Sequence, residues 1–222
     1  MNKRILLFAA ALTASASLFA QSKPVVTLRA GYVSASISGD ANTSMQSLLD
    51  YTGGAISTTP HKGLFAGAGI SIPVATGLTI EPGIGYAQKG YTMKGSLDLK
   101  GASFLSPGAK ANLTLQYVDL PLLLTGHVKG LEVFGGPQLS YLAAAKFRTT
   151  AGALGINVFD KTMDAVDRFN RWDAGLTGGV GYRFANGLSV RGSYEHGLTK
   201  MDANRNIAAY NQAFKVGIGM SF

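Results

Sequence analysis

The stretch from Trp172 to Gly197 constrains the fold most, because its two faces differ in a way that few soluble sheets tolerate. From Trp172 to Phe184 the even-numbered positions are mainly apolar and the odd-numbered positions carry glycine, polar or charged residues. This period of two is that of a pleated strand. Ala185-Asn186-Gly187 then gives a turn signal, after which Leu188 resumes the apolar face. We predict a β-hairpin with lipid against one face and a narrow polar lumen against the other.

The same alternation recurs along the chain and predicts eight strands. Their predicted bounds are 25–37, 63–72, 78–89, 113–126, 131–142, 172–184, 188–197 and 213–222. Long and short connections alternate, and the long ones are Ser38–His61, Gly90–Asn112, Ala143–Arg171 and Leu198–Gln212. An even strand number, short periplasmic turns and long external loops are typical of outer-membrane barrels. The sequence therefore predicts an all-β fold, an eight-stranded antiparallel up-and-down transmembrane β-barrel with four long external loops.

The third long connection has a spacing of its own. Phe159, Met163, Val166 and Phe169 recur at intervals of three to four residues, which predicts a short amphipathic helix there.

Residues 1–20 have the pattern of a secretory signal peptide. Lys3 and Arg4 are followed by an apolar run over Ile5–Leu12 and then by small residues up to Ala20. The run is too short to span a bilayer, and no later segment is a continuous apolar run of spanning length. We expect cleavage near Ala20 and a mature barrel domain over residues 21–222.

Composition excludes several classes of protein. The chain has no cysteine, so it has neither a disulfide framework nor a thiolate metal site. Its formal net charge is +8, but the Lys and Arg residues are scattered rather than clustered. We therefore expect no nucleic-acid binding.

The face opposite the apolar one carries charges of both signs in equal number. They are Arg29, Glu81, Asp119, Asp173, Arg183, Arg191, Glu195 and Lys215. A buried charge without a partner is costly, so a balanced set predicts ion pairs. Eight strands leave an interior just wide enough for side chains. We therefore predict a plugged lumen rather than a solute channel.

Aromatic residues near the strand ends share the apolar face, which favours the two interfacial girdles of a membrane barrel. They are Tyr32, Tyr86, Tyr141, Trp172, Tyr182, Phe184, Tyr194 and Phe222.

No pattern at fixed spacing predicts catalysis. We place His127 in a periplasmic turn and His61 and His196 near the external rim, and Ser193 lies on the opposite face of its strand from His196. No metal-ligand or cofactor-binding spacing is present either. We expect no enzymatic activity, although some eight-stranded outer-membrane barrels modify lipid. A small channel and a soluble periplasmic ligand-binding barrel of the lipocalin kind are two further classes that the alternation of apolar and polar faces allows.

Four segments, taken in order, resemble a known family. GLTIEPGIGYAQKG (77–90), YVDLPLLL (117–124), FGGPQLSYL (134–142) and DAGLTGGVGYRF (173–184) are similar to the Bacteroidetes outer-membrane β-barrel proteins, called PorT-like or porin-family and related in form to OmpA-like barrels. The resemblance implies an eight-stranded barrel in the outer membrane and no single activity. The ending VGIGMSF, with Phe222 last, resembles the aromatic signal that the barrel assembly machinery reads.

These observations give one functional expectation. We expect a monomeric protein of the cell outer membrane, held in its lipid and structural or adhesive in function. Its external loops would offer contacts to protein or glycan, since loops on a rigid scaffold commonly carry function.

Overall fold

A computed structural model describes residues 23–39, 56–96, 108–153, 156–202 and 208–222. The predicted signal peptide lies outside the described residues, as do parts of all four long connections. Within these ranges no helix has both the length and the apolar character needed to cross a membrane.

The described chain forms nine antiparallel strands. They are β1 (Val25–Gly39), β2 (Ile56–Ala75), β3 (Leu78–Ser96), β4 (Gly108–Val128), β5 (Leu131–Ala153), β6 (Ile156–Asp164), β7 (Trp172–Arg183), β8 (Leu188–Gly197) and β9 (Ala209–Ser221). Eight of them close a ring in the order β1-β2-β3-β4-β5-β7-β8-β9, and β9 pairs back with β1. The predicted eight-stranded antiparallel barrel is confirmed.

The ninth strand corrects the prediction for the third connection. β6 lies outside the ring and pairs only with the end of β5, with Phe147 opposite Met163. The predicted amphipathic helix is wrong, because Phe159 and Met163 lie on β6 and only Val166–Arg168 forms one turn of 3-10 helix. Residues four apart share a face of a strand as well as a face of a helix, so the spacing alone did not distinguish the two.

The short turns follow from local backbone chemistry. Lys129 and Gly130 both have positive φ, at 48° and 88°, which is the geometry of the two-residue hairpin turn between β4 and β5. Gly187 has φ of 86°, and Asn186 accepts a hydrogen bond from the Leu188 amide at 3.1 Å. These short turns join β2 to β3, β4 to β5 and β7 to β8. They lie at the same end of the barrel as both described termini, because β1 starts there and β9 ends there.

The strands are longer at the opposite end than predicted. β3 continues to Ser96 and β4 begins at Gly108, so much of the predicted second loop is paired strand. β5 likewise continues to Ala153 within the predicted third loop. The barrel wall therefore extends as a sheet, formed by the ends of β2 to β6, beyond the level of Tyr86 and Tyr141. We call this part of the wall the external sheet.

Candidate functional site

The lumen of the barrel collects the charged side chains. The side chains of Glu81, Asp119, Asp173, Arg191, Glu195 and Lys215 are buried, and those of Arg29 and Arg183 are partly buried and paired with them. Two further charges, Lys89 and Glu132, were not predicted and are buried in the same space. The alternation of faces along a strand could have identified both as inward residues. Lys89 is on the same face of β3 as Glu81, and Glu132 is on the same face of β5 as Phe134. The full set has five charges of each sign.

The first cluster lies nearest the short turns and joins three arginines to two glutamates. Arg191 donates to Glu81 at 2.9 and 3.1 Å and to Glu132 at 2.6 Å. Arg29 donates to Glu81 at 2.5 Å, and Arg183 Nε lies 2.8 Å from Glu132 Oε1. We call these five residues the arginine cluster. Both glutamates are at most 1% exposed, so their charge is compensated by protein groups.

The second cluster lies further along the lumen and joins two lysines to two acids. Lys89 Nζ is 2.9 Å from Glu195 and 3.3 Å from Asp119. Lys215 Nζ is 2.9 Å from Asp119 and also contacts Glu195. Ser140 donates to Asp119 at 2.6 Å. We call these four charged residues the lysine cluster, and each of its cations faces both of its anions.

Asp173 lies beside the lysine cluster with partners of its own. Asn211 donates to Asp173 Oδ2 at 2.7 Å and to the Tyr117 hydroxyl at 3.0 Å. Asp173 Oδ1 is buried without a hydrogen-bond partner among the described residues. A buried carboxylate oxygen of this kind is a place for an ordered water.

A cavity of about 110 Å³ lies in the lumen and is lined by members of both clusters. It has room for several water molecules. Phe65 and Phe134 also line it, with Lys215 5.4 Å from the ring centre of Phe65 and Arg191 4.9 Å from that of Phe134. Because Gly217 and Gly179 lie beneath these rings, any added Cβ would meet ring carbon at 2.7 Å. The glycines of the inward face therefore make room for lumen aromatics.

An apolar cap packs across the lumen at the end away from the short turns. Here the inward faces of β4 and β5 present Leu113, Leu115, Tyr117, Leu142 and Ala145, all buried. The segment that follows β6 packs against them through Val166 and Phe169, and Met201 joins from the connection between β8 and β9. Backbone hydrogen bonds fix these segments, among them Asn170 N to Met201 O at 2.7 Å. The lumen thus holds paired ions beneath an apolar cap.

The outer surface has the opposite character. Large apolar side chains are exposed there on every strand of the ring, for example Val26, Leu64, Ile84 and Ile218. Tyr141 and Trp172 pack edge to face with ring centres 5.0 Å apart near one border, and Tyr182 and Phe184 do the same near the short turns. Aromatic residues at both borders of an apolar band are what a lipid-embedded barrel requires.

The three histidines lie on different strands and have different partners. His127 lies on β4, not in the predicted turn, and its Nε2 is 2.9 Å from Thr79 Oγ1 while Nδ1 faces Glu132 at 3.4 Å. His196 stacks on Tyr194 and meets Gln212, whereas its neighbour Glu195 points into the lysine cluster. Burial and, secondarily, the charge of Lys110 lower the pKa of His61. Across the described ranges no three His, Cys, Asp or Glu residues are grouped to hold a metal ion.

A closed eight-stranded barrel with an apolar outer band, aromatic borders and an ion-paired interior defines a transmembrane protein of the outer-membrane class. The sequence comparison agrees: residues 19–203 match the family described as "Outer membrane protein beta-barrel domain". The chain belongs to this family, and it is a protein of the outer membrane. The short turns are accordingly on the periplasmic side, and the external sheet is on the outside of the cell.

Solved structures of similar fold are outer-membrane proteins at low identity. The attachment invasion locus protein Ail of Yersinia pestis is 12% identical, covers 90% of this chain and 100% of its own, and has a TM-score of 0.45. Neisserial surface protein A is 13% identical over 90% of this chain and 98% of its own, also at 0.45. OprG of Pseudomonas aeruginosa is 13% identical over 89% and 95%, at 0.40. Comparison with curated protein sequences finds none that matches this chain.

Proposed function

We propose that this protein is a monomeric, non-conducting outer-membrane barrel that acts through its external sheet, in an adhesive or structural role. The observation that carries the proposal is the filled lumen. Direct ion pairs hold together the members of the arginine cluster and those of the lysine cluster, and the apolar cap packs above them. A solute would have to break buried ion pairs, which is costly because each leaves an uncompensated charge.

The external sheet is the part of the molecule that is open to contact. β3 and β4 are paired as far as Ser96 and Gly108, and β5 and β6 as far as Ala153 and Ile156. Paired strands fix the two points from which each connecting loop starts and ends, and loops on a rigid scaffold commonly carry binding. A rigid stalk that presents loops to the outside suits adhesion better than it suits transport.

Several finer assignments belong to the same proposal. Residues 1–20 act as a signal peptide, and Phe222 supplies the aromatic ending that the assembly machinery reads. The four segments between Gly77 and Phe184 favour the PorT-like Bacteroidetes proteins within the wider family. We propose no enzymatic activity, since Glu195 is engaged with lysines, and Glu132, the acid that faces His127, is paired with Arg183 and Arg191.

The test trims the external sheet and keeps the barrel. Residues 93–111 and 149–161 are replaced by two-residue turns, which joins strand pairs at directly opposite positions and retains Val166, Phe169 and Met201 of the cap. The change in gel mobility on boiling reports barrel folding in each form. Cells that display the full chain and cells that display the trimmed chain are then compared for adherence to immobilised glycans, matrix proteins and other bacterial cells.

We expect at least one surface to retain the cells with the full chain and to release those with the trimmed chain. Adherence that is absent for the full chain, or equal for both chains, would refute the adhesive role. The barrel is also reconstituted in a planar bilayer, where we expect no discrete conductance steps. Regular steps from the full chain would establish a small channel instead.

A further inference from the structure

The external sheet carries a group of basic side chains on its outward face. Above the girdle, the outward positions of β2 to β5 hold five cations, which are Lys62, Lys94, Lys110, Lys146 and Arg148. We call these five residues the basic face. The described outward positions of these strands hold no acidic residue at that level. On the opposite wall, the corresponding positions of β1 and β9 are serine, glutamine and tyrosine. The basic face is therefore a local property of the sheet and not an average over the surface.

The basic face is compensated only along its β6 edge. There Arg148 pairs with Asp160 at 2.5 and 2.9 Å, and Asp164 is directly opposite Lys146. Lys62, Lys94 and Lys110 make no ion pair with any described residue. Lys94 and Lys110 are directly opposite each other on β3 and β4, and both are exposed. Like charges in directly opposite positions destabilise a sheet. An external anion that bridges the two lysines would remove that repulsion.

The height of the basic face restricts the kind of anion. Lys62 lies two residues above Leu64, which is level with Tyr32 of the girdle, and Lys94 lies eight residues above Tyr86. At about 3.3 Å per residue and a strand tilt of about 40°, the cations span heights of roughly 5 to 20 Å above the girdle. The headgroup layer of an ordinary bilayer leaflet is only about 5 to 7 Å thick. An anionic glycolipid with charged groups along an extended headgroup fits this span, whereas a phospholipid does not.

We propose that the basic face binds the phosphorylated headgroups of lipopolysaccharide in the outer leaflet that surrounds the barrel. The aromatic girdle lies directly below, so acyl chains packed on the apolar band continue upward into headgroups that meet Lys62 and Lys146 first and then Lys110 and Lys94. Basic clusters next to a membrane surface attract anionic lipid in this way. The charge asymmetry orients the bound lipid on the β2–β5 side and leaves the loops free for other contacts.

The test compares two double Lys→Gln variants, one at each end of the barrel. The full mature chain, refolded in nonionic detergent, is titrated with fluorescently labelled lipopolysaccharide. The test variant is Lys94→Gln with Lys110→Gln, and the matched control is Lys23→Gln with Lys129→Gln, which removes the same charge from exposed positions at the periplasmic end. Lys94→Arg with Lys110→Arg keeps the charge. Mobility on gels with and without boiling verifies folding of all four proteins.

We expect the test variant to bind roughly tenfold more weakly at low salt, with the control within about twofold of wild type and the arginine variant close to wild type. Chemically dephosphorylated lipopolysaccharide should bind wild type as weakly as intact lipopolysaccharide binds the test variant. An equal loss in the test and control variants, or no loss in either, would overturn the proposal. Equal binding of the dephosphorylated lipid, or full displacement by a soluble sulfated oligosaccharide at matched anion concentration, would also overturn it.

Discussion

Neutralising Glu81 is the sharpest test of the ion-paired lumen. Glu81 is 1% exposed and accepts hydrogen bonds from Arg29 at 2.5 Å and from Arg191 at 2.9 and 3.1 Å. In Glu81→Gln the shape is kept, but three arginines then face Glu132 as the one remaining anion of the arginine cluster. Removal of one partner from a buried ion pair costs about 3 to 5 kcal/mol. Because the adjoining cavity can admit water, we expect the lower end, about 3 kcal/mol.

The assay uses the single tryptophan of the chain. Trp172 lies at the external girdle and is half exposed to lipid, so its fluorescence reports unfolding in urea from lipid vesicles. At a slope of about 2 kcal/mol per molar, the expected loss lowers the urea midpoint by about 1.5 M. The double variant Glu81→Gln with Arg29→Gln restores the wild-type net charge of the cluster and should be more stable than Glu81→Gln alone. A midpoint within about 0.3 M of wild type for Glu81→Gln, or strictly additive losses in the double variant, would refute the reasoning.

Three further predictions follow from the same structure. Gly179→Ala should destabilise the barrel by about 1 to 3 kcal/mol, because the added carbon meets the backbone oxygen of Gly192 and, at 2.7 Å, the ring of Phe134. Gly192→Ala, whose own added carbon meets open space, is the matched control in the same urea assay. Asp160 should titrate below its ordinary pKa in carboxyl NMR, because Arg148 donates two hydrogen bonds to it. Arg148→Gln should raise that pKa back to the ordinary range of an aspartate, and an unchanged pKa would show that the pair is not formed. Phe169→Ala with Met201→Ala opens the apolar cap and should speed hydrogen exchange of the lumen-wall amides near Leu113, whereas an unchanged rate would mean that the cap does not exclude water.

The sequence predicted the membrane part of the fold because lipid imposes one simple pattern there. Each strand must show apolar residues outward, so the period of two identified both the strands and their inward charges. The eight charges were assigned to the inward faces only from their alternation with the apolar residues of each strand. Lys89 and Glu132 were missed because each lies at the end of a predicted strand, where a charged side chain is ordinarily solvated rather than buried in a lumen.

The external sheet was not predictable by the same rule, since above the girdle the pattern reverses. On β4 the inward residues Leu113 and Leu115 are apolar, and the outward residues Asn112 and Thr114 are polar. A search for apolar outward faces therefore ends a strand where it leaves the lipid, even though hydrogen bonding continues to Gly108. The cap depends on contacts between Val166, Phe169 and Met201 that are distant in sequence from β4, and no local pattern reports them.

The most direct test of the barrel's orientation in the membrane is which face of the sheet meets lipid. The chain contains no cysteine, so single-cysteine spin labels can be placed along β8 without background. Labels at Leu188, Val190 and Tyr194 should collide freely with oxygen dissolved in the bilayer, and labels at Ser189 and Ser193 should be shielded from it. This alternation with a period of two is the result that a lipid-facing apolar surface predicts. The opposite phase, with Ser189 and Ser193 open to oxygen, would place the apolar face inside and contradict a membrane barrel.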